Sequence, residues 1–318
     1  MSDEPLDCLI IGAGPAGLTA ATYLVRFHRR VAVVDAGHSR ARWIPTSHNC
    51  PGFPFGIAGP ALLAKLREQA EGYGARITTS CIETLQRDAD AFVATDAAGH
   101  EWRACHVLLA TGIVDRLPEM EALEECVAAG KVRLCAVCDG YEASDERIAV
   151  YGPADAAIRH GLFLRTFPRS VTAIRSEPGE PGPINAQLAE AARIALLPMP
   201  TRLNRCEEVC EVTLDDGSVR RFDTLYPVLG AEAQAHLATG MGARVDDTGA
   251  LRVDAAMQTT VDGLYAIGDV VSALNQISVA VGHAAIAASA IHNRLPANYR
   301  EDEASQPASA GAAPAPGR

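Results

Sequence analysis

A glycine-rich turn near the start of the chain limits the fold most strongly. The apolar residues 6–11 predict a strand, residues 12–17 have the sequence GAGPAG, and residues 18–24 predict a helix. In such a turn the first glycine allows a tight bend, the second lets a pyrophosphate approach the backbone, and the third lets helix and strand pack closely. The next strand, residues 31–34, ends in Asp35, an acid placed to hold a ribose hydroxyl. The pattern predicts a dinucleotide-binding unit rather than a plain glycine-rich turn.

The same succession of strand, turn, helix and strand occurs again 140 positions further along the chain. The corresponding positions of this second copy hold Gly152, Ala154, Ala157 and Arg175. Ala154 puts a methyl group where a pyrophosphate would approach. Arg175 could suit a 2′-phosphate, but the acidic Glu177 follows closely and no basic cluster forms. A working nicotinamide site at Gly152, Ala157 and Arg175 and a purely structural second domain are both open.

Cys135 and Cys138, followed directly by Asp139, form the motif with the most distinctive chemistry. Two cysteines at this spacing can close a small disulfide ring, and neighbouring charges can lower the pKa of one thiol so that it attacks as thiolate. The alternative is half of a zinc site, for which Cys206 and Cys210 are the only other paired candidates. A C-x-x-C near a βαβ pattern favours redox chemistry, so we expect no metal.

Three further segments predict contacts with a bound cofactor. Residues 42–55, rich in Pro and Gly, predict a loop over the cofactor, and residues 107–112 predict a buried strand that ends in a turn of small residues. Asp269 at a strand end could take a ribityl hydroxyl. The dipole of the long helix predicted over residues 276–293 could stabilise negative charge on a reduced ring.

Composition limits the partners. A net charge of -11 and a pI near 5.3 argue against general binding to nucleic acid or to acidic membrane surfaces. No basic segment with a following apolar stretch precedes the first strand, and no apolar stretch is long enough to span a bilayer. Nine cysteines without such a signal suggest a reducing compartment. We therefore expect a cytoplasmic enzyme with no nucleic-acid or membrane partner.

Over residues 7–294 the chain resembles the low-molecular-weight thioredoxin reductase family of FAD disulfide oxidoreductases. The order and spacing of six motifs carry this resemblance and are highly specific. They are GAGPAG at 12–17, NCPGF at 49–53, ATG at 110–112, CAVCDG at 135–140, GD at 268–269 and NQ at 275–276.

The resemblance implies an α/β fold of two Rossmann-like three-layer nucleotide-binding domains, with the second inserted into the first. Residues 1–113 and 236–298 would form the FAD-binding domain. Residues 114–235 would form the NAD(P)-binding-like domain that carries the dithiol. The composition of residues 299–318, rich in Ala, Pro and Gly, separately predicts a disordered tail. In that family the second cysteine, here Cys138, faces the flavin, the first, here Cys135, exchanges with the substrate, and the acid Asp139 donates the proton.

The resemblance also implies which residues contact the FAD. The expected contacts lie in the motifs at both ends of the chain. They are Gly12, Gly14, Pro15, Ala16, Asp35, His48, Asn49, Ala110, Thr111, Gly112, Gly268, Asp269, Gln276 and Ile277.

The chain departs from the family in the second nucleotide site. Residues 152–154 replace a glycine triplet, and residues 175–177 replace a His-Arg-Arg cluster that holds the 2′-phosphate of NADPH. NADPH is therefore an uncertain donor. His48 and His283 stand where thioredoxin reductases usually have other residues, as in relatives that use ferredoxin or that oxidise dithiols with oxygen. His48 is either a base beside the flavin or a hydrogen-bonded loop histidine.

The expected function is that of an FAD-dependent thiol-disulfide oxidoreductase. It would move two electrons between flavin and the Cys135–Cys138 disulfide, and on to a thioredoxin-like protein or a small-molecule disulfide. The alternatives are a dithiol oxidase that passes electrons to oxygen, a ferredoxin-dependent enzyme, and a flavin redox sensor without turnover. A homodimer is expected from the resemblance alone.

Overall fold

The computed structural model describes residues 4–205, 209–272 and 274–300. Its strands are β1 (Leu6–Ile11), β2 (Val31–Asp35), β3 (Arg76–Thr79), β4 (Ile82–Asp88), β5 (Ala91–Asp96), β6 (Glu101–Leu109), β7 (Ile113–Asp115), β8 (Ile148–Gly152), β9 (Val171–Arg175), β10 (Ala195–Leu197), β11 (Arg202–Arg205), β12 (Cys210–Thr213), β13 (Val219–Phe222), β14 (Thr224–Pro227), β15 (Ala231–Ala233) and β16 (Leu264–Ala266). Its α-helices are α1 (Pro15–Arg26), α2 (Gly59–Gly72), α3 (Leu123–Ala128), α4 (Ala136–Asp139), α5 (Ala154–Leu164), α6 (Pro183–Ala191), α7 (His236–Gly240) and α8 (Ile277–Arg294).

The larger sheet has the order β3-β2-β1-β6-β5-β4, and β16 also pairs with β6. Strands β2, β1, β6 and β16 run parallel. Their carboxyl ends therefore meet at one edge of the sheet, where ligands bind in open parallel α/β folds. This edge brings the GAGPAG turn, Asp35, residues 110–112 and Gly268 together.

The sequence of residues 76–102 predicts antiparallel strands with a turn at residues 97–100, and this prediction is wrong for β3. β3 pairs parallel with β2, with Asp35 opposite Thr79. Helix α2 lies between these two strands in the chain, and a helical crossover is what lets consecutive strands run parallel. Strands β4, β5 and β6 are antiparallel, as predicted.

Both faces of the larger sheet are buried. Along β1, Cys8 and Ile10 belong to one apolar cluster, which includes residues of α1 and α8. Leu9 and Ile11 belong to a second cluster on the opposite face. Alternate residues of one strand therefore pack into separate cores, which explains why residues 6–11 form an unbroken apolar run.

The second sheet repeats this plan. Its order is β10-β9-β8-β14, and all its pairs are parallel. Helix α5 packs with Ile148 and Val150 on one face. On the other face, Ala149 and Ile174 share a core with the antiparallel sheet β11-β12-β13. The fold of two Rossmann-like three-layer units, expected from the sequence, is confirmed.

The chain passes between the two units through an antiparallel ribbon formed by β7 and β15, with Ala231 opposite Asp115. We propose this ribbon as the domain boundary, in keeping with the expected change at residues 113–114 and 235–236. Residues 301–318 of the predicted tail lie outside the described residues. In the part of the chain that the structure describes, no helix is long and apolar enough to cross a membrane.

The packing of the GAGPAG turn yields a stability prediction. A Cβ atom on Gly17 would lie 1.9 Å from the carbonyl oxygen of Gly12, whereas one on Gly282, in α8, would meet no described atom within 4 Å. Gly17→Ala should therefore destabilise the chain by about 1–3 kcal/mol through overpacking. Gly282→Ala should stabilise it by about 0.5–1 kcal/mol, because alanine favours a helix over glycine. Urea unfolding midpoints measure both changes, and a Gly17→Ala midpoint at or above that of the wild type would contradict the packing argument.

Candidate active site

A disulfide joins Cys135 and Cys138, whose Cα atoms are 5.3 Å apart. Cys135 lies in extended backbone directly before the short helix α4, which contains Cys138 and Asp139. The two residues between the cysteines are Ala136 and the half-exposed Val137. Cys135 and Cys138 therefore form the small disulfide ring that their spacing predicted.

A cavity of about 820 Å³ lies along the carboxyl edge of the larger sheet and extends to this disulfide. We call it the central cavity. Cys135, Cys138 and Asp139 line it, and so does every residue for which an FAD contact was expected. The latter are Gly12, Gly14, Pro15, Ala16, Asp35, His48, Asn49, Ala110, Thr111, Gly112, Gly268, Asp269, Gln276 and Ile277.

The glycine-rich turn is tightly packed on one side and open on the other. Gly12 has a φ of +106°, and a Cβ atom there would lie 2.4 Å from the carbonyl oxygen of Ala110. A Cβ atom on Gly14 would meet only the Ser39 hydroxyl, at 3.4 Å, among the described atoms. The Asp35 carboxylate accepts a hydrogen bond from the Ala13 N–H at 2.9 Å. The turn thus leaves space for phosphates at the start of α1, where backbone N–H groups favour anions.

The residues around the central cavity fit FAD. Among the described residues, the buried side-chain oxygen of Asn275 has no hydrogen-bond partner, and Asn275 lines this cavity. Such an oxygen needs a donor, because a buried polar atom without a partner is costly. Bound FAD would offer N–H and hydroxyl donors here. Asn275 was quoted in the NQ motif but was not predicted as a contact, although its position beside Gln276 could have suggested it.

A partly buried ion pair is a second feature that sequence reasoning missed. The Arg40 guanidinium donates to the Asp115 carboxylate with distances of 2.5 Å and 3.0 Å. Burial raises the pKa of Asp269 to about 6, against the opposing effect of Arg40. Arg40, Asp115 and Asp269 all line the central cavity. Arg40 and Asp115 are 75 residues apart, so no local pattern indicates their pairing.

Asp139 is an acid with a raised pKa beside the disulfide. Burial raises the pKa of Asp139 to about 6, whereas Arg133 and a hydrogen bond from Tyr226 act in the opposite direction. The Tyr226 hydroxyl donates to Asp139 Oδ1 at 2.9 Å. A carboxyl group with a pKa near neutrality can both give and take a proton at working pH, which is what thiol chemistry at the adjacent Cys138 requires.

The two histidines singled out in the sequence have different surroundings. His48 lines the central cavity, and its Nδ1 lies 3.9 Å from a carboxylate oxygen of Glu142. His283 Nδ1 accepts a hydrogen bond from the Gly268 N–H at 3.3 Å, and burial lowers the pKa of His283. His283 therefore positions the turn that carries Asp269. The role of His48 as a base stays a prediction.

The positions expected for a nicotinamide cofactor lie in the second unit, away from the central cavity. A Cβ atom on Gly152 would lie 2.5 Å from Val228, so this glycine serves packing, and Ala157 is fully buried. Arg175 donates to the Gly179 carbonyl at 2.9 Å and pairs with Glu180. The cation at the predicted 2′-phosphate position is thus engaged within the chain through its Nη1.

A carboxylate stands at the start of helix α5, where a dinucleotide pyrophosphate would bind. Asp155 accepts hydrogen bonds from the Gly182 N–H at 2.9 Å and from the Asn185 amide at 2.7 Å. These bonds lower the pKa of Asp155, so it is ionised at neutral pH. A fixed negative charge at this position repels a pyrophosphate.

The alternative of a zinc site would use Cys206 and Cys210 beside the Cys135–Cys138 pair, which the structure joins as a disulfide. No group of three or more His, Cys, Asp or Glu side chains in the described ranges is placed to hold a metal ion. Cys210 is buried, with its sulfur 3.3 Å from the Lys131 carbonyl oxygen. Its expected partner, Cys206, lies outside the described residues.

Comparison with known proteins defines the class. The family model for pyridine nucleotide-disulphide oxidoreductases matches residues 6–284, so the chain belongs to this family. The thioredoxin reductase of Mycolicibacterium smegmatis is 32% identical over 278 residues, covering 83% of this chain and 88% of the relative. That of Streptomyces clavuligerus is 30% identical over 323 residues, covering 95% and 98%.

Solved structures agree with this assignment. The crystal structure of HlmI superposes with a TM-score of 0.85 and 27% identity, covering 92% of this chain and 93% of that one. The thioredoxin reductase of Streptococcus pyogenes MGAS5005 superposes with a TM-score of 0.84 and 26% identity, covering 92% and 98%. The chain is therefore a thioredoxin reductase-like, FAD-dependent disulfide oxidoreductase.

FAD supplies a group that takes up and releases two electrons when it is bound. The chain's own residues would hold this group at the glycine-rich turn and at the start of α8, and they present the disulfide in the same cavity. Thr111 donates its hydroxyl to the Gln234 carbonyl at 2.7 Å, and the Gln234 N–H donates to the Gly112 carbonyl at 2.9 Å. These hydrogen bonds join the turn of residues 110–112 to Gln234 at the wall of the central cavity.

The surroundings of Asp139 yield a pH prediction. The Tyr226 hydroxyl stabilises the charged carboxylate, so Tyr226→Phe should raise the pKa of Asp139 above its value of about 6. Infrared titration of the carboxyl C=O band measures this, with Asp139→Asn identifying the band. Tyr265→Phe, at a buried tyrosine of the larger sheet, should leave the band unchanged. A fall in the pKa in Tyr226→Phe would contradict the assignment.

The raised pKa of Asp139 also makes the free energy of unfolding depend on pH. Between the ordinary pKa of 3.8 and about 6, the folded chain holds a proton on Asp139 that the unfolded chain has lost. The contribution of Asp139 to stability therefore falls as pH rises through this window. Asp139→Asn should remove that part of the pH dependence, which urea unfolding at pH 4.5 and 7 would reveal. Equal pH dependence in both proteins would count against the raised pKa.

Proposed function

We propose that the chain moves two electrons between bound FAD and the Cys135–Cys138 disulfide and exchanges them with a thioredoxin-like protein or a small-molecule disulfide. One observation carries the proposal: the disulfide lines the same cavity as the glycine-rich turn and the start of α8. Thiols exchange electrons with a partner disulfide by direct attack, so they need access to both flavin and solvent. Val137, between the cysteines, is 50% exposed, and Tyr141 is 77% exposed.

The exchange follows from the chemistry of the pair. In the reduced form, the Cys135 thiolate attacks one sulfur of the substrate disulfide, and a mixed disulfide forms as the other substrate sulfur leaves. Cys138 then attacks the Cys135 sulfur, which restores the Cys135–Cys138 disulfide and releases the second substrate thiol. Asp139 would supply and accept the proton. The assignment of Cys135 to the substrate and Cys138 to the flavin rests on the resemblance to thioredoxin reductases.

A second candidate is dithiol oxidation in the reverse direction. The charges at the second nucleotide site favour this direction, because they disfavour NADPH as a donor. Asp155 is ionised at the start of α5, and Arg175 is paired with Glu180. A substrate dithiol would reduce the disulfide and leave as a disulfide. The two electrons and two protons would pass through the flavin site to oxygen and give hydrogen peroxide. Ferredoxin as a donor, the cytoplasmic location and the homodimer stay predictions.

Substitution of the two cysteines tests the proposal. Cys138→Ser should retain FAD and lose electron transfer between flavin and any thiol, and Cys135→Ser should lose exchange with the substrate. The measurement is disulfide turnover with a dithiol or reduced flavin as donor, and flavin absorbance reports cofactor content. Cys105→Ser, at a half-buried thiol in β6, is the matched control. Full turnover in both active-site variants would exclude the Cys135–Cys138 pair as the redox centre.

The electron donor requires a separate test. Anaerobic addition of NADPH, NADH or a small dithiol to the FAD-loaded protein is followed by flavin absorbance. The charges at the second nucleotide site predict bleaching by the dithiol and little bleaching by NADPH. Stoichiometric bleaching by NADPH would show that the second nucleotide site works and that the chain is a nicotinamide-dependent reductase. Flavin that no dithiol reduces would contradict the proposed function itself.

A further inference from the structure

An amide side chain from the far end of the chain contacts both sulfurs of the disulfide. Gln276 Nε2 lies 3.3 Å from Cys138 Sγ and 3.4 Å from Cys135 Sγ. Both distances are short for hydrogen bonds to sulfur. Gln276 directly precedes helix α8, whereas the cysteines belong to the second unit. The sequence predicted Gln276 as an FAD contact only.

The hydrogen bonds around Gln276 fix which end of its amide faces the sulfurs. Nε2 also donates to the Asn275 carbonyl at 3.1 Å, and Oε1 accepts from Asn49 Nδ2 at 2.9 Å. A backbone carbonyl can only accept, so the group beside it must be the NH₂ group. One N–H is used by Asn275, and the other is directed to the sulfurs.

Asn49 is held in the same manner. Its Nδ2 lies 3.4 Å from the Val137 carbonyl oxygen, and its Oδ1 accepts from the Ser47 hydroxyl at 3.2 Å. The Val137 carbonyl also can only accept, so it fixes the orientation of the Asn49 amide. Asn49 therefore presents a donor to Gln276 Oε1, and it links the loop of residues 42–55 to the backbone between the two cysteines.

We propose that Gln276 is a catalytic residue of the dithiol, and that Asn49 positions it. The proposal rests on the proposed function, because it concerns the reduced form of the same pair. Reduction breaks the Sγ–Sγ bond with two electrons and one proton, which the flavin site supplies, and it leaves one thiol and one thiolate. The sulfur of a disulfide is a weak acceptor, whereas a thiolate is a charged one. The Gln276 N–H bond thus strengthens on reduction and lowers the pKa of the thiol that carries the charge.

Other charged groups line the central cavity together with the sulfurs and must be held constant in any test. Arg133 lines the central cavity with the dithiol and favours a thiolate, whereas Asp139 and Glu142 disfavour one when they are ionised. His48, in the loop of residues 42–55, also lines this cavity, and its Nδ1 lies 3.9 Å from a carboxylate oxygen of Glu142. Substitution of Gln276 alters none of these groups, so a change in the thiol pKa can be assigned to the amide.

The experiment measures the pKa of Cys138 in FAD-loaded protein with the background substitution Cys135→Ser. The rate of iodoacetamide alkylation is followed against pH by mass spectrometry of the tryptic peptide of residues 134–147, in which Cys138 is then the single cysteine. Gln276→Leu should raise the thiol pKa by about one unit, which corresponds to about 1.36 kcal/mol and a tenfold loss of thiolate. Gln276→Glu should raise it further, because a carboxylate repels the thiolate.

Two more variants complete the design. Gln234→Leu makes the same substitution elsewhere in the central cavity, at an amide that donates to the Glu232 carbonyl, and should leave the thiol pKa unchanged. Asn49→Leu should shift it in the same direction as Gln276→Leu but less, because the Gln276 amide loses its fixed orientation. Asn49→Leu decides the question if Gln276→Leu fails to retain FAD.

The outcomes separate this inference from the proposed function. Alkylation reads the thiol without any turnover, so a chain inactive toward every disulfide would still show the shift. An unchanged pKa in Gln276→Leu, or an equal shift in Gln234→Leu, would overturn the role of Gln276. The corresponding measurement on Cys135 in a Cys138→Ser background shows whether the amide stabilises one thiolate or both.

Discussion

Close backbone packing at Gly12 is the constraint on which the active site depends. The residue has a φ of +106° and lies against the Ala110 carbonyl, in a space that no side chain could share. This contact joins the ends of β1 and β6, and Gly17 in turn lets α1 start directly above the turn. The first turn of α1 therefore borders the central cavity, where its N–H groups can meet the phosphates of FAD. Gln276, directly before α8, and Asn49, in the loop of residues 42–55, reach the disulfide segment from this edge: Gln276 contacts both sulfurs and Asn49 contacts the Val137 carbonyl.

Two partly buried acids set the electrostatics of the cavity. Burial raises the pKa of both Asp139 and Asp269 to about 6, although Arg133 and Arg40 oppose the shift at one acid each. The dominance of burial means that both acids hold protons more readily than surface carboxylates do. At Asp139 this property is useful for chemistry, because the thiols beside it exchange protons whenever electrons move. Asp269 instead belongs to the cluster with Arg40 and Asp115.

The sequence predicted those parts of the site that are local in the chain. The GAGPAG turn, the repeat around Gly152 and the Cys135–Cys138 spacing each specify geometry through a few neighbouring residues. The direction of β3 was missed because pairing depends on the crossover helix α2, which strand propensity does not encode. The contact of Gln276 with the sulfurs was missed for a related reason: it spans 138 residues from Cys138 and arises only when two units pack together. The neutralisation of Arg175 by Glu180 likewise requires the loop conformation.

The central claim is that flavin and the Cys135–Cys138 pair form one redox system within a single cavity. Anaerobic titration with dithionite tests it most directly by counting electrons. The account predicts that the wild-type protein takes up four electrons per flavin, two for the disulfide and two for the flavin, from two molecules of dithionite, whereas Cys138→Ser takes up two electrons from one. Complete reduction of the flavin in the wild-type protein by two electrons, from one molecule of dithionite, with no further uptake would mean that the disulfide does not share electrons with the flavin, and it would contradict the account.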